Sequence, residues 1–126
     1  YSSMRFRDDV IFTGRLPMEE LVKVTASALA VTYVSCFEGF GVPIIEAMRC
    51  GVPVITSSVT SMPEVAGGAA LTVDPFNPSA ITEAMINLAS DATLRSDLSK
   101  KGIENSRRFS WEHTADKLWN TILKTI

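Results

Sequence analysis

The feature that most constrains the fold is an apolar segment that ends in a glycine-rich turn and leads into a helix. Residues 29–34 are mostly apolar and rich in β-branched side chains, as in a strand covered on both faces of a parallel sheet. Residues 38–41 read Glu-Gly-Phe-Gly and predict a sharp turn. A helix is then expected from Pro43 to Cys50, with Gly51 as its C-terminal cap.

The alternation of strands and helices continues on both sides of this segment. Further strands are predicted at residues 9–13, 52–56 and 70–73, and residues 57–65 are expected to form a loop or a single helical turn. Helices are predicted from Pro17, over residues 78–90, from there to about Arg107, and over residues 111–126, with Asn77, Asp91 and Ser110 as N-caps. We therefore expect an α/β fold, a Rossmann-like parallel sheet of about four strands with flanking helices.

Several apolar side chains are expected to be packed. In the first helix, spacings of three and four residues predict a buried stripe at Leu21, Val24 and Ala28. In the last part of the chain, packing in the core or between domains is expected for Phe109, Trp111 and Trp119. The two cysteines, Cys36 and Cys50, have apolar neighbours and are predicted to be small buried hydrophobic residues in a reducing cytosol.

Composition excludes several classes of protein. The chain has 126 residues, of which 46% are hydrophobic, and this is enough for the core of one domain and too apolar for a disordered chain. Twelve Lys and Arg against fourteen Asp and Glu give no basic excess, so nucleic-acid binding is not expected. No apolar run approaches the roughly 20 residues of a transmembrane helix, and the cysteines have neither disulfide nor metal spacing.

The glycine-rich turn predicts an anion site. Unpaired N–H groups at the start of a helix favour a phosphate or pyrophosphate, and ligands of open α/β sheets bind where the strands end. Glu38 and Glu46 lie on either side of this helix start and are expected to contact ligand hydroxyls. No Lys follows as in a phosphate loop, and Ile44 replaces the third glycine of a dinucleotide fingerprint. The alternative is purely structural: a steric turn, and a glutamate that favours the helix dipole.

The segment from Glu38 to Glu46 also resembles the E-x7-E motif of retaining, nucleotide-sugar-dependent glycosyltransferases of the GT-B fold, most closely family 4, the group 1 glycosyltransferases. Other stretches resemble sequence marks of this family and occur in the same order: residues 12–16, 50–57, 61–65, 71–75, 94–95 and 109–111. The resemblance covers essentially the whole chain and rests on the series of matches rather than on one motif.

The resemblance implies a role for each matching position. Glu38 is the implied catalytic residue, which faces the transferred sugar, and Glu46 is implied to bind the ribose. The sugar and the diphosphate are implied to contact the turn and the helix start, formed by Gly39, Phe40, Gly41, Val42 and Pro43. The base is implied to lie near the segment Gly14, Arg15 and Leu16. From its place after the third predicted strand, Glu64 is a further candidate for approaching the donor, whereas His113 is expected to face solvent.

The implied function is transfer of a hexose, such as mannose, glucose or galactose, from a nucleoside diphosphate sugar to a glycan or lipid-linked acceptor, with retention. No metal or other cofactor is expected. Residues 1–126 are expected to be part of the C-terminal donor-binding domain of a cytoplasmic enzyme that allows peripheral membrane association, since the acceptor domain and the basic residues of the diphosphate site do not precede Tyr1. This part alone is expected to be inactive. The alternative is a non-catalytic Rossmann-like nucleotide-binding or interaction module.

Overall fold

A three-stranded parallel sheet organises the fold. The computed structural model of the protein describes residues 3–125. The strands are β1 (Val31–Tyr33), β2 (Val54–Ser57) and β3 (Leu71–Val73), in the order β1-β2-β3. Val31 pairs with Val54, and Ile55 pairs with Leu71, both in parallel register. The expected parallel α/β architecture is therefore confirmed, with three strands in the described part of the chain instead of about four.

Six α-helices surround the sheet in the described part of the chain, and a 3₁₀ turn at Arg7–Asp9 precedes them. The helices are α1 (Met18–Ser27), α2 (Val42–Arg49), α3 (Met62–Ala66), α4 (Pro78–Ser90), α5 (Ala92–Ser106) and α6 (Trp111–Leu123). The predicted N-caps are confirmed: Asn77, Asp91 and Ser110 each accept a backbone N–H bond from the first turn of α4, α5 and α6. None of the described helices has the length and apolar character needed to cross a membrane.

The core lies on both faces of β2, whose four residues are all buried. Val54 packs on one face with α2 and α3, where Ile44, Met48 and Met62 are almost completely buried. The next residue, Ile55, packs on the other face with Leu88 of α4. This alternation follows from the two-residue period of a strand, and it makes β2 the central element of the fold.

The predicted strand at residues 9–13 is wrong. Asp9 ends the 3₁₀ turn, and residues 10–13 form irregular backbone in which Ile11 is 83% exposed. A β-branched run becomes a strand only when it pairs with another strand, and residues 9–13 pair with none of the described strands. In the described sheet β1 is therefore an edge strand, and its central residue Thr32 is exposed, so the expected covering of this strand on both faces is wrong.

Other packing expectations also need correction. No residue of α1 is buried, and Leu21 and Val24 of the predicted stripe are exposed, so the expected buried stripe is wrong. Trp111 and Trp119 are 86% and 60% exposed, so packing in the core of this chain is excluded, and packing between domains stays a prediction. Cys36 is exposed, because it follows β1 in the loop that leads to the glycine-rich turn.

Candidate active site

The candidate site begins where β1 ends, and hydroxyl groups from β2 hold the chain there. Thr56 Oγ1 donates to the carbonyl of Tyr33 at 2.9 Å, and Ser57 Oγ donates to the carbonyl of Ser35 at 2.5 Å. Both donors are fully buried. A buried hydroxyl must find an acceptor, so these bonds fix the position at which β1 leaves the sheet.

The glycine-rich turn reverses the chain from β1 into α2. Gly41 is the N-cap of α2 and has φ of 98°, a backbone conformation that residues with a Cβ rarely adopt. A Cβ at this position would also lie 3.1 Å from Ile44 Cδ1. Ser61, which precedes α3, donates its hydroxyl to the carbonyls of Glu38 and Phe40 at 2.9 and 3.1 Å. The conformation of the turn is therefore determined by the left-handed backbone of Gly41 and by the hydrogen bonds that Ser61 donates to its carbonyls.

Glu38 stands at the start of this turn and is half-buried. Its Oε1 accepts a hydrogen bond of 2.7 Å from the phenol of Tyr33. That hydrogen bond, with smaller contributions from burial and from the charge of Glu38, raises the pKa of the Tyr33 phenol above its ordinary value of 10.0. Tyr33 and Glu38 thus form one linked pair at the carboxyl edge of the sheet.

The outer side of the turn rests on the segment between α5 and α6. The ring of Phe40 meets the ring of Phe109 edge to face, with 5.7 Å between the ring centroids. Arg49, at the end of α2, donates to the carbonyl of Phe109. Helix α2 is therefore connected to this segment at its start, through Phe40, and at its end, through Arg49.

The start of α2 offers free donors. Among the described residues, the backbone N–H groups of Gly39 and Val42 have no hydrogen-bond acceptor, and Pro43 has no N–H at all. The helix adds the equivalent of about half a positive charge at this end. Donors and dipole together favour a phosphate group at the start of α2.

Glu46 lies on the side of α2 that faces α1. Its exposed side chain lines a groove of about 260 Å³ between α1 and α2, together with Met18, Leu21 and Arg49. A second depression lies beside the start of α1 and is lined by Arg15, Leu16, Pro17, Met18 and Leu21. It shares Met18 and Leu21 with the groove that Glu46 lines. The structure thus brings Glu46 and the segment after Gly14 to adjoining depressions.

Two remaining candidates lie apart from this arrangement. Glu64 is exposed on α3, and no described hydrogen bond or ion pair joins it to the turn. His113 is exposed on α6, as expected. Within residues 3–125, no group of three or more His, Cys, Asp or Glu side chains is arranged to hold a metal ion.

Comparison with known proteins decides the family. Residues 2–105 match the family model described as "Glycosyl transferases group 1". The chain belongs to this family. The group 1 resemblance is therefore confirmed over residues 2–105, and the family-like segment at residues 109–111 lies outside the matched range.

Two relatives and one solved structure show how far the likeness to other group 1 glycosyltransferases extends. The chain is 40% identical to O-antigen chain mannosyltransferase B of Escherichia coli over 109 residues, covering 86% of this chain and 29% of that protein. It is 36% identical to D-inositol 3-phosphate glycosyltransferase of Corynebacterium glutamicum, covering 85% and 26%. Sucrose-phosphate synthase from Thermosynechococcus elongatus superimposes with a TM-score of 0.80 at 29% identity, covering 94% and 31%.

These comparisons confirm the expected fold class, a Rossmann-like unit of the GT-B type. The chain spans less than a third of each of the three proteins. The sequence did not reveal the parts played by Tyr33, Ser61 and Phe109. Ser61 was visible as part of the family-like stretch over residues 61–65, but nothing in the sequence indicated that its hydroxyl holds the turn.

Proposed function

We propose that this chain binds the donor of a retaining hexosyltransferase, which uses a nucleoside diphosphate sugar. The observation that carries the proposal is the Gly41-capped start of α2, with free N–H groups at Gly39 and Val42, in a turn that begins at Glu38. In the proposed complex the diphosphate lies at the helix start. The transferred sugar lies against Glu38 and against the backbone of the turn.

The nucleoside part of the donor is proposed to occupy the two depressions beside α1. Glu46 lines a groove beside α1 and is proposed to accept hydrogen bonds from the ribose hydroxyls. The base is proposed to lie along the adjoining depression, near Gly14, Arg15 and Leu16. This arrangement keeps the carboxylate of Glu46 away from the phosphates, which it would repel, and directs it to neutral hydroxyls.

The chemistry follows from where charge develops. Negative charge builds on the departing diphosphate, and the N–H groups and dipole of α2 stabilise it. Positive charge builds near the anomeric carbon, and the Glu38 carboxylate stabilises that charge and positions the sugar. The bond from the anomeric carbon to the diphosphate breaks, a hydroxyl oxygen of the acceptor forms the new bond to that carbon, and the proton of this hydroxyl passes to the departing diphosphate. The acceptor, a glycan or a lipid-linked sugar, is proposed to bind regions outside this chain.

The relatives support a hexose donor, because two of the three are named as a mannosyltransferase and a sucrose-phosphate synthase. We place the reaction in the cytoplasm, with peripheral association where the acceptor is a lipid, and we expect it to proceed without a metal ion. Nucleic acid is not a proposed partner, because the chain has a formal net charge of −2.

The test is hexose transfer by the protein at its natural length, with Glu38→Ala, Glu46→Ala and, as a matched control, Glu83→Ala on the exposed surface of α4. Glu38→Ala is expected to lower kcat by at least about 100-fold, and Glu46→Ala to raise the KM of the donor. NMR of the product reports retention, and EDTA reports the metal requirement. Unchanged transfer in both variants would overturn the proposal. Donor binding without any transfer by the unmodified protein would leave only a binding module.

A further inference from the structure

The Glu38 carboxylate accepts a hydrogen bond that can determine its orientation. Among the side chains of residues 3–125, only the Tyr33 phenol donates a hydrogen bond to it, at 2.7 Å on Oε1. No described Lys or Arg forms an ion pair with it. A glutamate side chain has three rotatable bonds and samples several rotamers when nothing holds it. The phenol is thus the contact that selects the conformation of this carboxylate.

Tyr33 is itself firmly placed. It pairs in the sheet with Thr56, and its carbonyl accepts the buried Thr56 hydroxyl at 2.9 Å. At the other end of the link, the carbonyl of Glu38 accepts the Ser61 hydroxyl at 2.9 Å. The main chain is therefore held on both sides of the Tyr33–Glu38 hydrogen bond. A fixed donor and a fixed acceptor backbone leave the carboxylate little freedom.

We propose that Tyr33 is a positioning residue: its phenol engages Oε1 of Glu38 and thereby directs Oε2 toward the transferred sugar. The proposal rests on the donor-binding function above, since it assigns a task to the second oxygen of the same carboxylate. A carboxylate accepts through both oxygens, so the phenol does not compete with a sugar hydroxyl at Oε2. Tyr33 does not touch the sugar in this arrangement and acts through Glu38.

The kinetic test uses the protein at its natural length and removes one hydroxyl by Tyr33→Phe. Loss of a hydrogen bond to a charged group is expected to lower kcat about tenfold or more while the KM of the donor changes less than about twofold. The matched control is Thr32→Val, which removes an exposed hydroxyl next to Tyr33 on the same strand and is expected to leave kcat unchanged. Equal activity of Tyr33→Phe and the unmodified protein would overturn the proposal.

A double variant separates positioning from a merely structural role. If Tyr33 acts through Glu38, adding Tyr33→Phe to Glu38→Ala lowers kcat no further, because the carboxylate to be positioned is gone. If Tyr33 only supports the fold, the two losses multiply, and that result would overturn the proposal. Unchanged transfer by Glu38→Ala would also overturn the positioning proposal, since the carboxylate would then have no task, and unchanged transfer by Glu46→Ala as well would overturn the proposed function.

The hydrogen bond has a readout that does not depend on transfer. The ring-carbon signal of Tyr33 in the tyrosine-labelled protein at its natural length can be assigned by NMR as the signal that Tyr33→Phe removes, and it can then be titrated. Tyr33 is expected to titrate above its ordinary value, and Glu38→Ala is expected to bring it down, while the control Glu46→Ala leaves it unchanged. Glu38 is the only titratable side chain of the described residues that acts on this phenol. An ordinary titration that does not respond to Glu38→Ala would overturn the proposal.

Discussion

The sharpest prediction concerns Gly41, whose left-handed conformation makes the turn into α2 possible. In Gly41→Ala the new Cβ meets Ile44 Cδ1 at 3.1 Å and Met62 Cγ at 3.7 Å. The left-handed conformation costs an L-residue about 1–2 kcal/mol. Ile44 is completely buried, so its side chain gives way only by leaving its rotamer, which costs about 1 kcal/mol. We therefore expect a loss of about 2–3 kcal/mol in the free energy of unfolding.

Gly39→Ala is the matched control two residues earlier in the same turn. Its φ lies outside the left-handed region, and a Cβ there meets no atom within 4 Å. Its effect on the free energy of unfolding is expected to stay within about 0.5 kcal/mol. The two variants therefore share the chemical change and differ only in the backbone conformation and the space around the added methyl group.

Urea denaturation followed by far-ultraviolet circular dichroism measures the difference. With a typical slope of about 2 kcal/mol per molar urea, Gly41→Ala is expected to lower the midpoint by about 1 M while Gly39→Ala leaves it nearly unchanged. Equal midpoints for the two variants would refute the argument from backbone conformation, whether both equal the midpoint of the unmodified protein or both fall below it by the same amount.

Three further predictions concern stability away from the turn. In Gly67→Ala the new Cβ collides with the Asn105 side chain at a φ of 56°, so urea denaturation is expected to show a loss of about 2 kcal/mol or more. Asn77→Ala removes the side chain that accepts two backbone N–H bonds at the start of α4, and urea denaturation is expected to show a loss of about 1 kcal/mol in the free energy of unfolding. The raised pKa of Tyr33 means that its bond to Glu38 stabilises the folded state fully below pH 10.0 and less as the phenol ionises above it. The stability difference between the unmodified chain and Tyr33→Phe is therefore expected to shrink in denaturation curves recorded at increasing pH above this value.

Controls keep these outcomes specific. Gly68→Ala also has a positive φ, but its Cβ meets no atom within 4 Å, so it is expected to cost less than Gly67→Ala. A cost at Gly68 equal to that at Gly67 would contradict the collision with Asn105. Asn77→Asp keeps a capping oxygen and is expected to retain most of the stability lost in Asn77→Ala. A pH-independent difference for Tyr33→Phe would contradict the linkage.

Much of the fold was predictable because its signals are local. Asn77 caps the backbone N–H groups of residues only two and three positions ahead, and Ser110 caps that of His113. The glycine turn and the start of α2 follow in the same way from Gly41 and Pro43. Such features depend on neighbouring residues in the chain, so the sequence contains all the information they need.

The failures depend on partners distant in sequence. Residues 9–13 have the composition of a strand, but a strand also has to pair with another strand, and these residues pair with none of the described strands. The contact of Ser61 with Glu38 spans 23 positions, and that of Arg49 with Phe109 spans 60. The site motif was therefore visible in the sequence, whereas the side chains that hold it in place emerged only from the tertiary structure.

The hydrogen bonds that hold the site region restrict the residues that donate them more than the residues that accept them. Thr56, Ser57 and Ser61 all donate to main-chain carbonyls, never to a side chain of the residue they hold. Any amino acid at the accepting position offers the same carbonyl, so Ser35 and Phe40 can be replaced without losing these bonds. The donors have no such freedom, because a residue without a hydroxyl ends the contact. The side chains of Ser35 and Phe40 can thus vary without loss of these bonds, whereas Thr56, Ser57 and Ser61 each need a hydroxyl to keep them.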